Sequence, residues 1–156
     1  MSSAVRLIRN HRLTQAVDYA YGAAVDAPVR SLWLAGACPL DAEGRTVAVG
    51  DHEGQAHQVM RNLIAVLEGE GAALTDLVRT TVYVASAEQS DLVKVWEVYR
   101  SYLGSHDVPS TLLGVSVLGY ADQLVEVEAV AVLSSTGPEG GREGAQSAAS
   151  RASSFA

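Results

Sequence analysis

The sequence has few of the features that mark several large classes of protein. It has one cysteine, Cys38, in 156 residues, so no disulfide can form within the chain, and no Cys/His spacing is typical of a structural zinc site. No stretch approaches the roughly 18 consecutive apolar residues of a membrane-spanning helix. The N-terminus lacks the apolar core and the small-residue cleavage site of a signal peptide. These absences favour a reduced, cytoplasmic protein that does not enter a membrane.

Positive charge is also scarce. The chain has 11 lysines and arginines against 18 acidic residues, which gives a formal net charge of −7. An acidic chain repels phosphate backbones, so nucleic-acid binding is disfavoured. No GxGxxG or GxxxxGK[ST] motif is present, and the four histidines have no HExxH spacing. We therefore expect neither a cofactor nor a metal ion.

Apolar residues, by contrast, are abundant. They make up 48% of the chain against 19% charged residues, which excludes global disorder and is typical of one folded domain. The end of the chain, residues 134–156, is rich in Ser, Gly and Ala and is predicted to be a flexible tail. We divide the chain into an N-terminal segment (1–16), a folded domain (17–133) and this tail. The tail has two acids and two bases, so the net charge belongs to the rest of the chain.

Two segments have the apolar spacing of a helix that buries one side. The first lies between Asp51 and Gly71, with Asp51 as the expected N-cap and Gly69 or Gly71 as the stop. The second covers residues 90–103, with Ser90 as the expected cap and Gly104 as its end.

Runs rich in β-branched residues surround these helices and predict strands at 31–35, 77–85, 111–118 and 124–133. Residues 18–25 are expected to form a further strand, in a hairpin with 31–37 through a turn at 26–28. The order strand, strand, helix, strand, helix, strand, strand predicts an α+β domain with two helices on one face of a mixed sheet. The other face is either solvated or packed on a partner, and its apolar content favours a partner.

Four segments in this order resemble the reactive intermediate deaminase (RidA, YjgF-like) family: LAGACPLDAEG (34–44), DLVRTTVYV (76–84), VWEVYRSYLG (95–104) and LVEVEAVAVL (124–133). The resemblance implies a chorismate-mutase-like α+β fold and a homotrimer with small-molecule clefts between its subunits. It also implies hydrolysis of reactive enamines and imines, such as 2-aminoacrylate, to a keto acid and ammonia.

The same resemblance assigns catalytic roles to Glu126 and Thr111. Glu126 falls on the acid that positions the attacking water in the family; the alternative is a solvent-facing acid on an alternating strand. Thr111 lies two residues after Pro109, where the family's deaminases have an arginine that binds the substrate carboxylate. A threonine offers one hydroxyl where a guanidinium offers a planar fork. We therefore expect a more apolar or uncharged ligand rather than a simple 2-imino acid, held at its oxygen by Thr111 unless this residue only closes a strand.

The resemblance further implies a substrate pocket lined by Tyr21, Ala35, Gly36, Cys38 and Trp96. The backbone amide of Gly36 would hold a ligand oxygen. Cys38 is either a nucleophile or a small buried residue beside the cleft, and no histidine is paired with it by motif. Trp96 belongs either to the cleft wall or to the core. Glu128 shares the sheet face of Glu126 and is expected to be structural.

These observations predict a homotrimeric enzyme that acts on a small reactive metabolite by water addition or proton transfer at an imine, enamine or related carbonyl-type carbon. Two alternatives stay open. One is a non-catalytic ligand-binding or regulatory trimer that has lost deamination together with the arginine. The other is an endoribonuclease, against which the acidic charge and the lack of a histidine pair both count.

Overall fold

The first helix forms over the apolar stripe that follows Asp51. The structure, a computed structural model, describes residues 5–25 and 28–135. Helix α1 (His52–Gly69) begins as predicted, because an Asp51 carboxylate oxygen accepts a hydrogen bond from Gly54 N at 3.0 Å. It ends at Gly69, also as predicted. Its inner side is fully buried and consists of Ala56, Val59, Met60, Leu63 and Leu67.

Helix α2 (Gln89–Leu103) packs beside α1 on the same core through Val95, Val98, Tyr99 and Leu103. It ends before Gly104, whose φ of 57° lies in the left-handed region that favours glycine. The prediction that Ser90 caps this helix is wrong. Glu88 occupies the cap position without a side-chain cap bond, and its own amide donates to Ser86 Oγ at 3.0 Å instead.

A four-stranded mixed sheet lies under the two helices. It consists of β3 (Val29–Ala37), β4 (Leu77–Ala85), β5 (Ser110–Val115) and β6 (Val125–Ser134), in the order β3-β6-β4-β5. Strand β6 pairs antiparallel with both of its neighbours, whereas β4 and β5 run parallel and are joined by the crossover helix α2. A 3-10 turn, Leu74–Asp76, leads into β4. The predicted α+β class is confirmed.

The predicted hairpin between residues 18–25 and 31–37 is wrong. Strand β2 (Gly22–Val25) pairs antiparallel with β1 (Val5–Ile8), in a separate two-stranded sheet that aligns Val5 with Val25. The segment 1–16, for which no strand was expected, supplies β1 as the partner of β2 in place of β3. The flexible tail is predicted for residues 134–156, and of these residues 136–156 lie outside the part of the chain that the structure describes.

The two faces of the main sheet differ in what they bury. Val125, Val127, Ala129 and Ala131 of β6 point into the core with the helices and are at most 3% exposed. The alternate residues lie on the opposite face, which we call the open face. This face carries Trp33, Arg79, Thr111 and Leu113 together with Glu126 and Glu128. None of the helices in the described residues is long and apolar enough to cross a membrane.

Candidate active site

The Glu126 carboxylate, on the open face, is held in place by neighbouring side chains. Its Oε2 accepts a hydrogen bond from Gln123 Nε2 at 2.9 Å and lies 3.6 Å from Cys38 Sγ. Gln123 is 4% exposed and its Oε1 also accepts from Tyr120 N, so the donor is held firmly. Within the described residues, Oε1 of Glu126 has no protein hydrogen-bond donor. One carboxylate oxygen is therefore anchored, and the other is available to a water molecule.

Gly36 provides the space in which this carboxylate sits. An ideal Cβ atom at position 36 would lie 1.9 Å from Glu126 Oε1. The pairing of β3 with β6 shifts its register between Leu34 and Ala37, which marks a bulge at Ala35 and Gly36. The bulge in β3 thus lies where the Glu126 side chain packs against Gly36.

Cys38 is the second group in contact with Glu126. Burial and, after it, the neighbouring Glu126 carboxylate together raise the pKa of the Cys38 thiol to about 11. At neutral pH the sulfur therefore keeps its proton, which it can share with the carboxylate. This environment is the opposite of the electropositive setting that activates a nucleophilic cysteine. It favours a supporting role for Cys38 rather than a nucleophilic one.

Helix α1 fixes the chain segment that carries Cys38. Asn62 Nδ2 donates to the carbonyl oxygens of Cys38 at 2.8 Å and Leu40 at 3.0 Å. Gln58 Nε2 in turn donates to Asn62 Oδ1 at 2.9 Å, which orients the amide. A rigid helix thus positions the loop beside Glu126.

A cavity of about 430 Å³ lies at the other side of β4, along the edge strand β5. Its lining comes from the chain before β2, from α2 and from β5, and consists of Asp18, Tyr19, Trp96, Ser110, Thr111 and Leu112. Trp96 Nε1 donates to Asp18 Oδ2 at 3.2 Å, and the Trp96 ring lies 5.1 Å from that of Tyr99 and 6.5 Å from that of Tyr19. Trp96 is partly buried and belongs both to the cavity wall and to the edge of the core.

The structure distributes the predicted site residues over two groups. Glu126, Gly36 and Cys38 come together in the first group, and Ala35 lies exposed on the adjoining bulge. Thr111 and Trp96 come together in the second group. Thr111 pairs with Thr81 and Glu126 pairs with Tyr83 on opposite sides of β4, so their Cα atoms are separated by roughly 12 Å.

Tyr21 lies outside both groups. Its hydroxyl donates to the carbonyl oxygen of Thr14 at 2.6 Å, and its ring packs edge-on against Tyr19 at 6.1 Å. Tyr19, two residues earlier, lines the cavity with Trp96. The motif Asp-Tyr-Ala-Tyr contains both tyrosines, and the sequence did not tell which ring faces the cavity.

Three polar residues with contacts to these groups were missed by sequence reasoning. Gln123 holds Glu126, Asp18 holds Trp96, and Arg79 Nη2 donates to Thr111 Oγ1 at 2.8 Å. Glu128 is exposed and accepts from Tyr83 OH at 2.9 Å, which raises the pKa of that phenol. Among residues 5–25 and 28–135, no three His, Cys, Asp or Glu side chains are arranged to hold a metal ion.

The fold is that of Rid proteins. The structure of the Rid family protein YyfB from Yersinia pestis matches 83% of this chain and 99% of its own, with a TM-score of 0.75 and 28% identity. Residues 10–133 match the endoribonuclease L-PSP family. The chain therefore belongs to this family, which includes the RidA, YjgF and RutC proteins.

Two curated relatives show the range of the family. A RutC family protein of Pyrococcus horikoshii is 36% identical over 100 residues, which cover 64% of this chain and 77% of that protein. The 2-iminobutanoate/2-iminopropanoate deaminase of Rattus norvegicus is 28% identical over 132 residues, which cover 85% of this chain and 93% of the rat protein. The predicted membership in the RidA family is thereby confirmed.

Proposed function

We propose that this protein is an enzyme that hydrolyses or tautomerises a small reactive imine or enamine in a cleft between the subunits of a homotrimer. The observation that carries the proposal is the Glu126 carboxylate, with Oε2 anchored by Gln123 and Oε1 without a protein partner. A carboxylate held in this way is a general base within reach of a bound water. The deaminase names of curated relatives support the same reaction class.

In the proposed hydrolysis, Glu126 Oε1 takes a proton from water while the water oxygen bonds to the imine carbon. The electron pair of the C=N bond moves to nitrogen, which takes up a proton from solvent and gives a neutral carbinolamine, while Glu126 keeps the proton from water. The carboxylic acid of Glu126 then protonates the amine. The C–N bond breaks, the hydroxyl proton returns to solvent, and ammonia and a carbonyl compound result with Glu126 again a carboxylate. In tautomerisation the same carboxylate moves one proton between the enamine carbon and nitrogen.

The division of the site into two groups supports a cleft between subunits. Among the described residues of one copy, Glu126 and Thr111 do not line a common cavity, and roughly 12 Å separates their Cα atoms across β4. The open face also exposes large apolar side chains, with Trp33 81% and Leu113 44% exposed. Contacts between copies through this face would bury these side chains and bring Glu126 of one copy to Thr111, Trp96 and Tyr19 of another.

Thr111 and the Gly36 amide would hold a ligand oxygen, and Cys38 and Trp96 would shape the pocket. The expectation of a ligand other than a simple 2-imino acid rests on Thr111 and on Trp96, which stands where the family has an asparagine. In the folded protein the Arg79 guanidinium donates a hydrogen bond to the Thr111 hydroxyl. The charge of the ligand is therefore decided by the surroundings of position 111 and not by the threonine by itself.

Turnover of 2-iminobutanoate, generated in solution and followed by ammonia release, tests the proposal. Glu126→Gln should lower the rate by roughly 100-fold or more, because it removes the base and keeps the side-chain shape. Glu68→Gln, which alters an exposed acid on α1, is the matched control and should stay within about threefold of wild type. Equal rates in the wild type and Glu126→Gln would contradict the role of Glu126.

The same preparation decides between the alternatives. Saturable binding of the keto acid product without any turnover would identify a ligand-binding trimer. Cleavage of RNA by the purified chain, lost in Glu126→Gln, would identify the endoribonuclease. The net charge of −7 makes that outcome unexpected, since a general RNA surface is built on positive charge.

A further inference from the structure

Arg79 has its guanidinium beside Thr111, the residue at the position where the resemblance places the carboxylate-binding arginine of the family's deaminases. It lies on the open face of β4, two residues before Thr81, which pairs with Thr111 on the parallel strand β5. Its Nη2 donates to Thr111 Oγ1 at 2.8 Å. The side chain therefore leans across to β5, and its positive charge lies beside the hydroxyl that replaces the expected arginine.

The charge of Arg79 has no carboxylate partner in the part of the chain that the structure describes. Arg9, Arg30, Arg45 and Arg100 all form ion pairs with carboxylates. For Arg79, no carboxylate in residues 5–25 or 28–135 is within ion-pair distance, and the bond to Thr111 uses one of its five N–H donors. An exposed guanidinium with several free donors is suited to a planar anion, which it binds through two parallel hydrogen bonds.

A recess on the open face lies beside Arg79, and packing of a second copy on this face would make the recess part of the proposed cleft. It has a volume of about 260 Å³ and is lined on its apolar side by Trp33, Leu34, Ala129 and Val130. Thr81 and the acid Glu128 line it as well. Oε2 of Glu128 accepts from Tyr83 OH, so this carboxylate has its own partner and does not pair with Arg79.

The geometry points to Arg79 as the residue that binds the substrate carboxylate, with Thr111 as the hydroxyl that orients its guanidinium. This inference rests on the proposed function and narrows it, since the substrate is then an imine or enamine that carries a carboxylate next to the reacting carbon. The arginine fork that is missing from β5 is supplied by the neighbouring strand. An uncharged ligand, expected from position 111 alone, is replaced by an anionic one.

Binding of 2-oxobutanoate and of its uncharged amide to the full chain, measured by calorimetry, tests the inference without any need for turnover. Wild type should prefer the acid, and Arg79→Gln should weaken acid binding by roughly 10- to 100-fold while amide binding stays unchanged. Arg79→Lys, which keeps the charge but not the fork, should fall between the two. Arg61→Gln, on the outer side of α1, is the matched control and should bind as wild type.

A second variant separates anion recognition from any local damage to β4. Thr111→Arg, placed in the Arg79→Gln background, returns a guanidinium to the adjacent strand and should restore at least a tenth of the lost affinity. The inference is overturned if Arg79→Gln binds the acid as wild type does, or if wild type does not prefer the acid to the amide. If either result occurs while ammonia release still depends on Glu126, only the role of Arg79 is overturned and the proposed reaction stands. If the wild type releases no ammonia but binds the acid through Arg79, only the proposed reaction is overturned.

Discussion

Gly36 and Glu126 are in such close contact that a side chain at position 36 would take the place of the glutamate carboxylate. A Cβ atom there would lie 1.9 Å from Oε1, 2.6 Å from Cδ and 2.8 Å from Cγ of Glu126. All three atoms belong to the far part of a flexible side chain, which can rotate away. The contact therefore constrains the position of the acid more than it constrains the fold.

Gly36→Ala should inactivate the protein without unfolding it. The methyl group forces Glu126 out of its bonds to Gln123 and Cys38, and turnover should fall by roughly 100-fold or more. The cost in unfolding free energy should be about 1–3 kcal/mol, which is typical of an overpacked site. Rates of ammonia release and urea denaturation measure the two effects.

Gly69→Ala is the matched control for this substitution. Gly69 is the last residue of α1, and nothing lies within 4 Å of a Cβ built there. Alanine should keep full activity and add about 0.5–1 kcal/mol to the unfolding free energy. Full activity in Gly36→Ala would show that Glu126 does not need its observed position.

Cys38 should react slowly with iodoacetamide, because the thiolate is the reactive form and burial together with Glu126 raises the thiol pKa to about 11. The alkylation rate should stay low at pH 8 and rise steeply only above about pH 10. Glu126→Gln removes the negative neighbour, so the pKa of Cys38 should fall and alkylation at pH 8 should become faster. Glu128→Gln should leave the rate unchanged. A wild-type midpoint near pH 9 would contradict the structure.

The same thiol should make stability depend on pH at the alkaline end. Its pKa is raised in the folded state, so the folded chain keeps this proton between the unfolded value of 9.0 and about 11, where the unfolded chain has lost it. The unfolding free energy should therefore be highest below pH 9 and should fall as pH rises towards 11. Burial also raises the pKa of Tyr99, so the effect of Cys38 is read as the difference between wild type and Cys38→Ala.

Much of the fold could be predicted because its signals are local. The stripe after Asp51 and the β-branched run at 77–85 determine α1 and β4 within the segment itself, and the bounds of β4 agree with the prediction. The hairpin failed for the opposite reason. Whether β2 pairs with β3 or with β1 depends on the arrangement of those strands in the folded chain, and no residue in β2 encodes that choice.

The candidate site shows the same limit. Glu126 was found because its motif is contiguous, whereas Gln123 supports it through a loop whose shape the sequence pattern does not encode. Arg79 was visible on a correctly predicted strand, but its role depends on the register of β4 against β5. A shift of one residue would turn its side chain to the helix side and away from Thr111.

Tyr99 connects α2 to the sheet below the cavity, and its hydroxyl should be important for stability. The oxygen lies 2.6 Å from Thr80 Oγ1 and 2.7 Å from Ser110 Oγ, in a cluster where Tyr99 is 1% exposed and Thr80 fully buried. Tyr99→Phe leaves both smaller hydroxyls without this partner and should cost about 1–3 kcal/mol of unfolding free energy. Urea denaturation at one fixed protein concentration measures it, since assembly would contribute to stability.

Tyr102→Phe is the matched control, because the Tyr102 hydroxyl bonds to His57 Nδ1 at 2.9 Å on the outer side of the helix pair. Water can replace this bond, so the loss should stay below about 1 kcal/mol. Equal losses in the two variants would show that the buried hydroxyl cluster adds nothing beyond a surface hydrogen bond.

Trp33 should decide whether the chain assembles. It lies on β3 opposite Val130, on the open face, with 81% of its surface exposed, which is unusual for so large an apolar side chain. If copies pack through this face, Trp33→Glu places a charge in the interface, and sedimentation equilibrium should show a shift from three copies of the 16.4 kDa chain to one. Val66→Glu, which alters a half-exposed side chain on α1, should remain assembled.

Because Glu126 and Thr111 would meet only between copies, Trp33→Glu should lose turnover in parallel while its circular dichroism is unchanged. A Trp33→Glu protein with the mass and activity of wild type would remove the open face as the site of the cleft.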